Sequence, residues 1–232
     1  MAIGDRLAAA RVRLILDKPF LGALALRLPM VPAPWCKTTA TDARNFYYNP
    51  GYIERLNLDQ MQFVIAHEAL HCALSHFERR GRRARSRWDI ACDHAVNPVL
   101  AAEGLAPPPG TLILTVFEGM TAEEIYPLID EESSEETMDQ HLYGDEGSGQ
   151  GSASGNKPSP PSQRELAGLS EAWRQHLAQA LQQAGKLEGG LARLVGELLQ
   201  PSRPGAHCFP AILCSLRGTI TATSVLRGGR VK

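Results

Sequence analysis

Two imidazoles and a carboxylate occur together as His67-Glu68-Ala69-Leu70-His71. On a helix, residues four apart lie about 40° apart around the axis, one turn along. His67 and His71 can therefore grip one metal ion from one face. Glu68 stands about 60° from His71 on the other side, close enough to reach a water beside the ion without being a ligand. Two imidazoles, an open position and a carboxylate base form the arrangement of a zinc hydrolase. The competing reading is a core helix whose two histidines are merely hydrogen-bonded.

The spacing does chemistry only if the segment is helical. Met61, Val64, Ile65, Ala69, Leu70, Leu74 and Phe77 recur at helical intervals, with no proline among them. Asn57 or Asp59 can cap the start and Gly81 can end it. Nearly all its polar residues belong to the motif, and buried His and Glu need partners.

A second stretch, residues 88–97, carries Asp89, Asp93 and Asn97 at i, i+4 and i+8. These lie along one helical face beside an apolar flank of Trp88, Ala91 and Ala95. Acidic side chains beside a buried face call for something that neutralises them. A second helix crossing the first would bring Asp93 to the metal, with Asp89 read as its N-terminal cap.

The chain has 232 residues and a net charge of −1, with ordinary apolar content. A sizeable core can form, and near-neutrality argues against bulk affinity for nucleic acid or anionic membranes. No apolar run is long enough to span a bilayer, and the start of the chain lacks the apolar region of a signal peptide. Cys36, Cys72, Cys92, Cys208 and Cys214 show no CxxC spacing and suit a reducing cytoplasm. Cys72 and Cys92 read as small buried residues rather than thiolate ligands.

Other segments frame these two helices. Residues 3–16 form an amphipathic helix stopped by Pro19, and residues 21–31 read either as a helix continuation or as a strand. Residues 38–49 read as an extended hairpin turning at Asp42-Ala43, followed by an Asn49-Pro50-Gly51 turn. A substrate strand could pair with an exposed edge near residues 44–48. The arginines at 79, 80, 82, 83, 85 and 87 read as a solvated loop, with a docking patch or a fold-back onto the acidic residues 130–146 as alternatives. Residues 111–117 are β-like, and Thr121-Ala-Glu-Glu124 is a capping box. Residues 130–163 are acidic, then Gly/Ser-rich, then Pro/Ser-rich, and read as a disordered linker. His141 within it and His176 beyond it have no ligand-like neighbours in sequence. Residues 164–200 read as a helical hairpin. The fold class expected is α+β and mainly helical: a zincin-like core over residues 1–129, with two crossing site helices, a small antiparallel sheet and the hairpin.

The stretches HEALHCALSH, WDIACDHAVNPVL and GMTAEEIY, in this order and led in by TDARNFYYNP, resemble the metallopeptidase-like domain of bacterial proteins that carry a von Willebrand A-like domain behind it. The resemblance covers about residues 1–200. It implies Zn²⁺ held by His67 and His71, Glu68 as catalytic acid/base, and Asp93 as third ligand. His94 and His76 are the alternatives to Asp93, although His76 lies about 140° around a continuous helix from His71 and would point away. His94, Asn97, Tyr47 and Tyr48 are candidates for contacts with substrate or with the ligands. The resemblance also implies a peptide or protein substrate and a MoxR-type AAA+ ATPase as partner. Alternatives in other classes are a metal-stabilised binding module and a nucleic-acid binder using the arginine run. The second domain should begin after Leu199, but residues 201–232 lack periodicity. Codons read one base back permit Trp-led and Asp-Tyr-Ser-type segments at 205–209 and 218–222. The tail is therefore expected to be a frameshifted remnant of that domain.

Overall fold

A computed structural model describes residues 2–130, 133, 135–143 and 157–199. The frameshift reading falls on residues 201–232, outside the described residues. The order of elements is α1 (Ile3–Asp17), α2 (Pro19–Ala25), β1 (Met30–Pro32), β2 (Thr39–Thr41), β3 (Phe46–Tyr48), α3 (Pro50–Arg55), α4 (Leu58–Ala73), α5 (His76–Arg79), α6 (Arg85–Ala102), α7 (Ala122–Ile125), β4 (Asp139–His141), α8 (Gln163–Ala184) and α9 (Gly189–Leu199). The described chain is mainly helical, with one small sheet. No helix among the described residues is long and apolar enough to cross a membrane.

Helix α4 starts where a reciprocal cap allows it. Asn57 Oδ1 accepts from the Gln60 amide at 2.9 Å, and Gln60 Oε1 accepts from the Asn57 amide at 3.0 Å. It ends earlier than Gly81. Ser75 adopts a left-handed backbone conformation with φ 56°, which closes the helix at Ala73 and turns the chain into α5. Every residue of α4 from Met61 to Ala73 is buried. The helix packs against α1, α2, α6 and α8, so it is the axis of the core.

The sheet has the order β1-β3-β2-β4. Strands β2 and β3 form the expected antiparallel hairpin, with Ala43 at φ 64° in the turn. The expectation of an antiparallel sheet fails at both edges, because β1 pairs parallel with β3 and β4 pairs parallel with β2. Strand β3 is therefore interior, and its backbone has no free edge near residues 44–48 for a substrate to join. Residues 21–31 resolve into helix α2 followed by strand β1. Residues 111–117 hold no strand; a single 3-10 turn spans Thr115–Phe117.

The largest correction concerns residues 130–163. Part of this segment is strand β4, and Asp139, His141, Leu142 and Tyr143 are buried. The Thr38 hydroxyl donates to the Met138 carbonyl at 2.6 Å, and the Leu142 amide donates to the Thr41 carbonyl at 3.0 Å. The polar composition of the segment hides a three-residue strand that β2 holds by backbone pairing, with Asp139 and His141 on its buried face.

The arginine run is not a solvated loop. Arg79 pairs with Glu123, Arg83 lies 4.8 Å from the Trp88 ring centre, Arg80 4.5 Å from that of Tyr143, and Arg85 donates to the His141 carbonyl at 2.7 Å. Guanidinium planes stack on aromatic rings while their N–H groups reach carbonyls. The fold-back alternative is thus partly realised, through residues 141 and 143.

Helix α8 opens with a Ser162/Glu165 capping box and buries Trp173, Leu177 and Ala180. The Trp173 indole donates to the Ala43 carbonyl at 2.8 Å, and the Ser170 hydroxyl donates to Ser75 at 2.9 Å. The first helix of the hairpin thus braces both the β2–β3 turn and the turn that ends α4.

Candidate metal centre

His67 and His71 lie one turn apart on α4, fully buried, with ring centres 4.2 Å apart. Helix α6 crosses and brings Asp93 to them, as expected. Asp93 Oδ1 is 3.8 Å from His67 Nε2 and 3.6 Å from His71 Nε2. None of these three atoms has a hydrogen-bond partner. Ligands bonded at about 2.0–2.2 Å in a tetrahedral shell sit about 3.3–3.6 Å from one another. The two His–Asp separations are close to that, and all three donors lie within 4.8 Å of one another, so a modest contraction would let them take one ion.

The outer nitrogens of the rings are held. Asn97 donates from Nδ2 to the Leu112 carbonyl at 3.0 Å, which fixes its amide orientation. Its Oδ1 then accepts from His67 Nδ1 at 2.8 Å and leaves the lone pair on Nε2. His71 Nδ1 lies 3.2 Å from His76 Nδ1. This overturns the expectation that His76 points away. The helix-wheel angle assumed a continuous helix, whereas Ser75 breaks it and α5 returns His76 to the back of the His71 ring. His76 is a support for His71, not a ligand.

Strand β4 adds two groups that sequence reasoning dismissed. Asp139 and His141 alternate along the strand and so face the same side. Asp139 Oδ1 is 3.6 Å from His67 Nε2, and Asp139 Oδ2 is 2.9 Å from His141 Nε2. The His141 ring centre is 4.5 Å from that of His71. Asp89 is not a helix cap, since α6 begins at Arg85; its Oδ1 accepts from His141 Nδ1 at 2.8 Å and from the Tyr143 hydroxyl. The one available signal was the Asp-x-His spacing followed by Leu142 and Tyr143 in an otherwise polar stretch.

Other candidates stand elsewhere. His94 turns its ring toward Glu135 at 3.3 Å and packs on Phe117, so it is not the third ligand. The Tyr47 hydroxyl donates to Asp42 at 3.1 Å, and Tyr48 stacks on Phe46. Both tyrosines sit on interior strand β3.

Glu68 is fully buried with both oxygens unpartnered. Burial, reinforced by the Asp139 charge, raises its pKa to about 8, with His67 pulling the other way. Burial and Asp139 likewise raise Asp93 to about 7. Burial opposes a charge on His67, yet the carboxylates of Asp139, Asp93 and Glu68 lift its pKa to about 9. His71 is pushed well below its ordinary value by burial and by its neighbours His67 and His141. Asp139 is held well below the usual carboxylate range because His141 and His67 outweigh its burial. Burial and like charge thus push two of the three carboxyls up, while His141 and His67 favour the ionised form of Asp139. Cys72 and Cys92 are pushed well up by burial and stay thiols, as expected.

Eight buried side-chain atoms here lack a hydrogen bond, some facing one another only as His–Asp ion pairs: His67 Nε2, His71 Nε2, His141 Nε2, Asp93 Oδ1, and both oxygens of Glu68 and of Asp139. An orphaned buried polar group costs about 1–3 kcal/mol, and native interiors leave few of them. A divalent cation satisfies nitrogen lone pairs and carboxylates together, where a proton on an imidazole serves only one pair at a time. The donor set therefore fits a metal, and it defines the class: a buried histidine/carboxylate centre with a further buried glutamate, Glu68, beside it.

The comparisons agree with that class. The chain belongs to the family described as "Putative metallopeptidase domain", which matches residues 3–225. A Thermotoga maritima protein named "Uncharacterized protein" is 31% identical over 117 residues, 46% of this chain. The match covers 28% of that relative's length. No solved structure matches.

Proposed function

We propose that the protein is a zinc-dependent peptidase of zincin-like type, with His67, His71 and Asp93 as metal ligands and Glu68 as general base. The observation that carries this reading is the convergence of two bare Nε2 atoms and Asp93 Oδ1 on one point, with an unpaired glutamate next in sequence to the first ligand. A bound Zn²⁺ would supply Lewis acidity, lowering the pKa of a water from ~15.7 toward ~7 and polarising the scissile carbonyl.

The chain's own residues do the rest. Glu68 accepts a proton from the attacking water on a carboxylate oxygen and returns it to the departing amine nitrogen. Asn97 and His76 hold the two rings so that each presents its Nε2. Substrate reaches the centre from the β4 side. A cavity of ≈ 440 Å³ there is lined by Arg85, Asp89, Thr137, Asp139, Gln140 and His141, among others. Its polar walls suit the backbone of a peptide. In this reading Glu68→Gln keeps the metal and loses peptide cleavage by at least about 10²-fold. Full turnover by that variant, with metal bound, would sink the role of Glu68.

A second reading is a metal-stabilised interaction module that works with a MoxR-type AAA+ ATPase, with a von Willebrand A-like domain as a further associated part. Asp139 and His141 favour it, because a site closed by four or more protein donors is the structural kind. Under this reading Glu68→Gln leaves ATPase binding and metal content unchanged. Nucleic-acid binding has little support, since the net charge is −1 and several of the arginines are engaged within the fold.

A further inference from the structure

The third histidine of the cluster, His141, is built in the same way as the two on α4. His67 has its Nδ1 on Asn97 and His71 has its Nδ1 beside His76; His141 donates from Nδ1 to Asp89 at 2.8 Å. All three have a fully buried Nε2 without a hydrogen bond. A carboxylate on Nδ1 with a bare Nε2 opposite is the dress of a metal-ligating histidine.

The neighbours of that nitrogen point the same way. His141, Asp139 and His71 offer donor atoms within 4.8 Å of one another, as do His67, His71 and Asp93. The two groups share His71, whose Nδ1 is taken by His76, so its single free nitrogen can serve one ion. The two groups therefore meet at His71, although their donors do not all lie within 4.8 Å of one another. Asp139 Oδ2 stands 2.9 Å from His141 Nε2, yet neither atom is in a hydrogen bond. With its proton on Nδ1, a neutral His141 has none to give Asp139. Two acceptors this close need a cation beside them or a second proton on the ring.

We propose that β4 contributes a metal ligand of its own, the Nε2 atom of His141, so that one divalent ion is gripped from α4, α6 and β4 together. Asp139 lines the same space and offsets the cation's charge. This rests on the presence of a metal, which both readings above share, and extends it to a segment whose composition resembles a linker; a fourth protein donor favours the second of those readings. The rival is an imidazolium that pairs with Asp89 and Asp139 and never touches the ion.

The test uses the full chain, Zn²⁺ affinity by chelator competition, and the visible spectrum of bound Co²⁺, which reports the kind and number of ligands. His141→Ala and His141→Gln are compared with wild type and with His71→Ala. Glutamine keeps a donor for Asp89 and much of the volume while withdrawing the nitrogen ligand, so it decides the matter if alanine prevents folding. Loss of affinity by more than about tenfold, with an altered Co²⁺ spectrum in the folded His141→Gln protein, is the expected result. Wild-type affinity and an unchanged spectrum in that variant, with binding lost in His71→Ala, would overturn the role of His141 and leave the peptidase reading intact. A wild-type protein that takes up neither ion would overturn both.

Discussion

His67 presents its lone pair because Asn97 accepts from the opposite nitrogen, and Asn97 is itself held by the Leu112 carbonyl. Replacing Asn97 with alanine should free the ring to turn and change tautomer. Metal affinity should then fall by about 10–100-fold, the usual cost of removing such a support, as read by titration against a competing chelator. At this scale the sequence was informative where chemistry depends on local spacing. His67, Glu68 and His71 follow from helical geometry, and Asp93 and Asn97 follow from their four-residue repeat on a second helix. His76 was misjudged because one left-handed serine, which no pattern of apolar residues announces, redirects the chain after Leu74. Asp139 and His141 were missed because their partners lie about fifty or more residues away in sequence, so no local pattern reveals them.

Elements hold the site by close approach. Helices α1 and α2 meet so tightly at Gly22 that an added Cβ would fall 2.4 Å from the Ile15 Cα. The obstacle is backbone and cannot swing away. Gly22→Ala should therefore destabilise the protein by about 1–3 kcal/mol through overpacking, seen as a lower midpoint in urea with an unchanged slope. The helices α1, α4, α6 and α8 were legible from periodicity and capping residues. The sheet was half legible: the β2–β3 hairpin follows from its turn, whereas parallel pairing at both edges leaves no sequence signature. Stacking of arginine on Trp88 and Tyr143 also escapes a reading that counts charge alone.

For the molecule as a whole, the donors span residues 67 to 141 and three elements of the core. An ion that binds this arrangement and not the unfolded chain adds stability by mass action, about 2.7 kcal/mol at a hundredfold excess over Kd. Thermal unfolding should accordingly move upward with added Zn²⁺ and downward with a chelator, and His71→Ala should abolish the response. A melting temperature indifferent to both additions would argue against a metal linked to the fold.

The parallel pairing of β4 with β2 joins positions about one hundred residues apart, as between Thr38 and Met138. A chain emerging from the ribosome therefore exposes its first two histidines long before the last strand can seat. The site cannot be complete until synthesis has passed Tyr143, so any ion held before then would rest on donors from α4 and α6 alone.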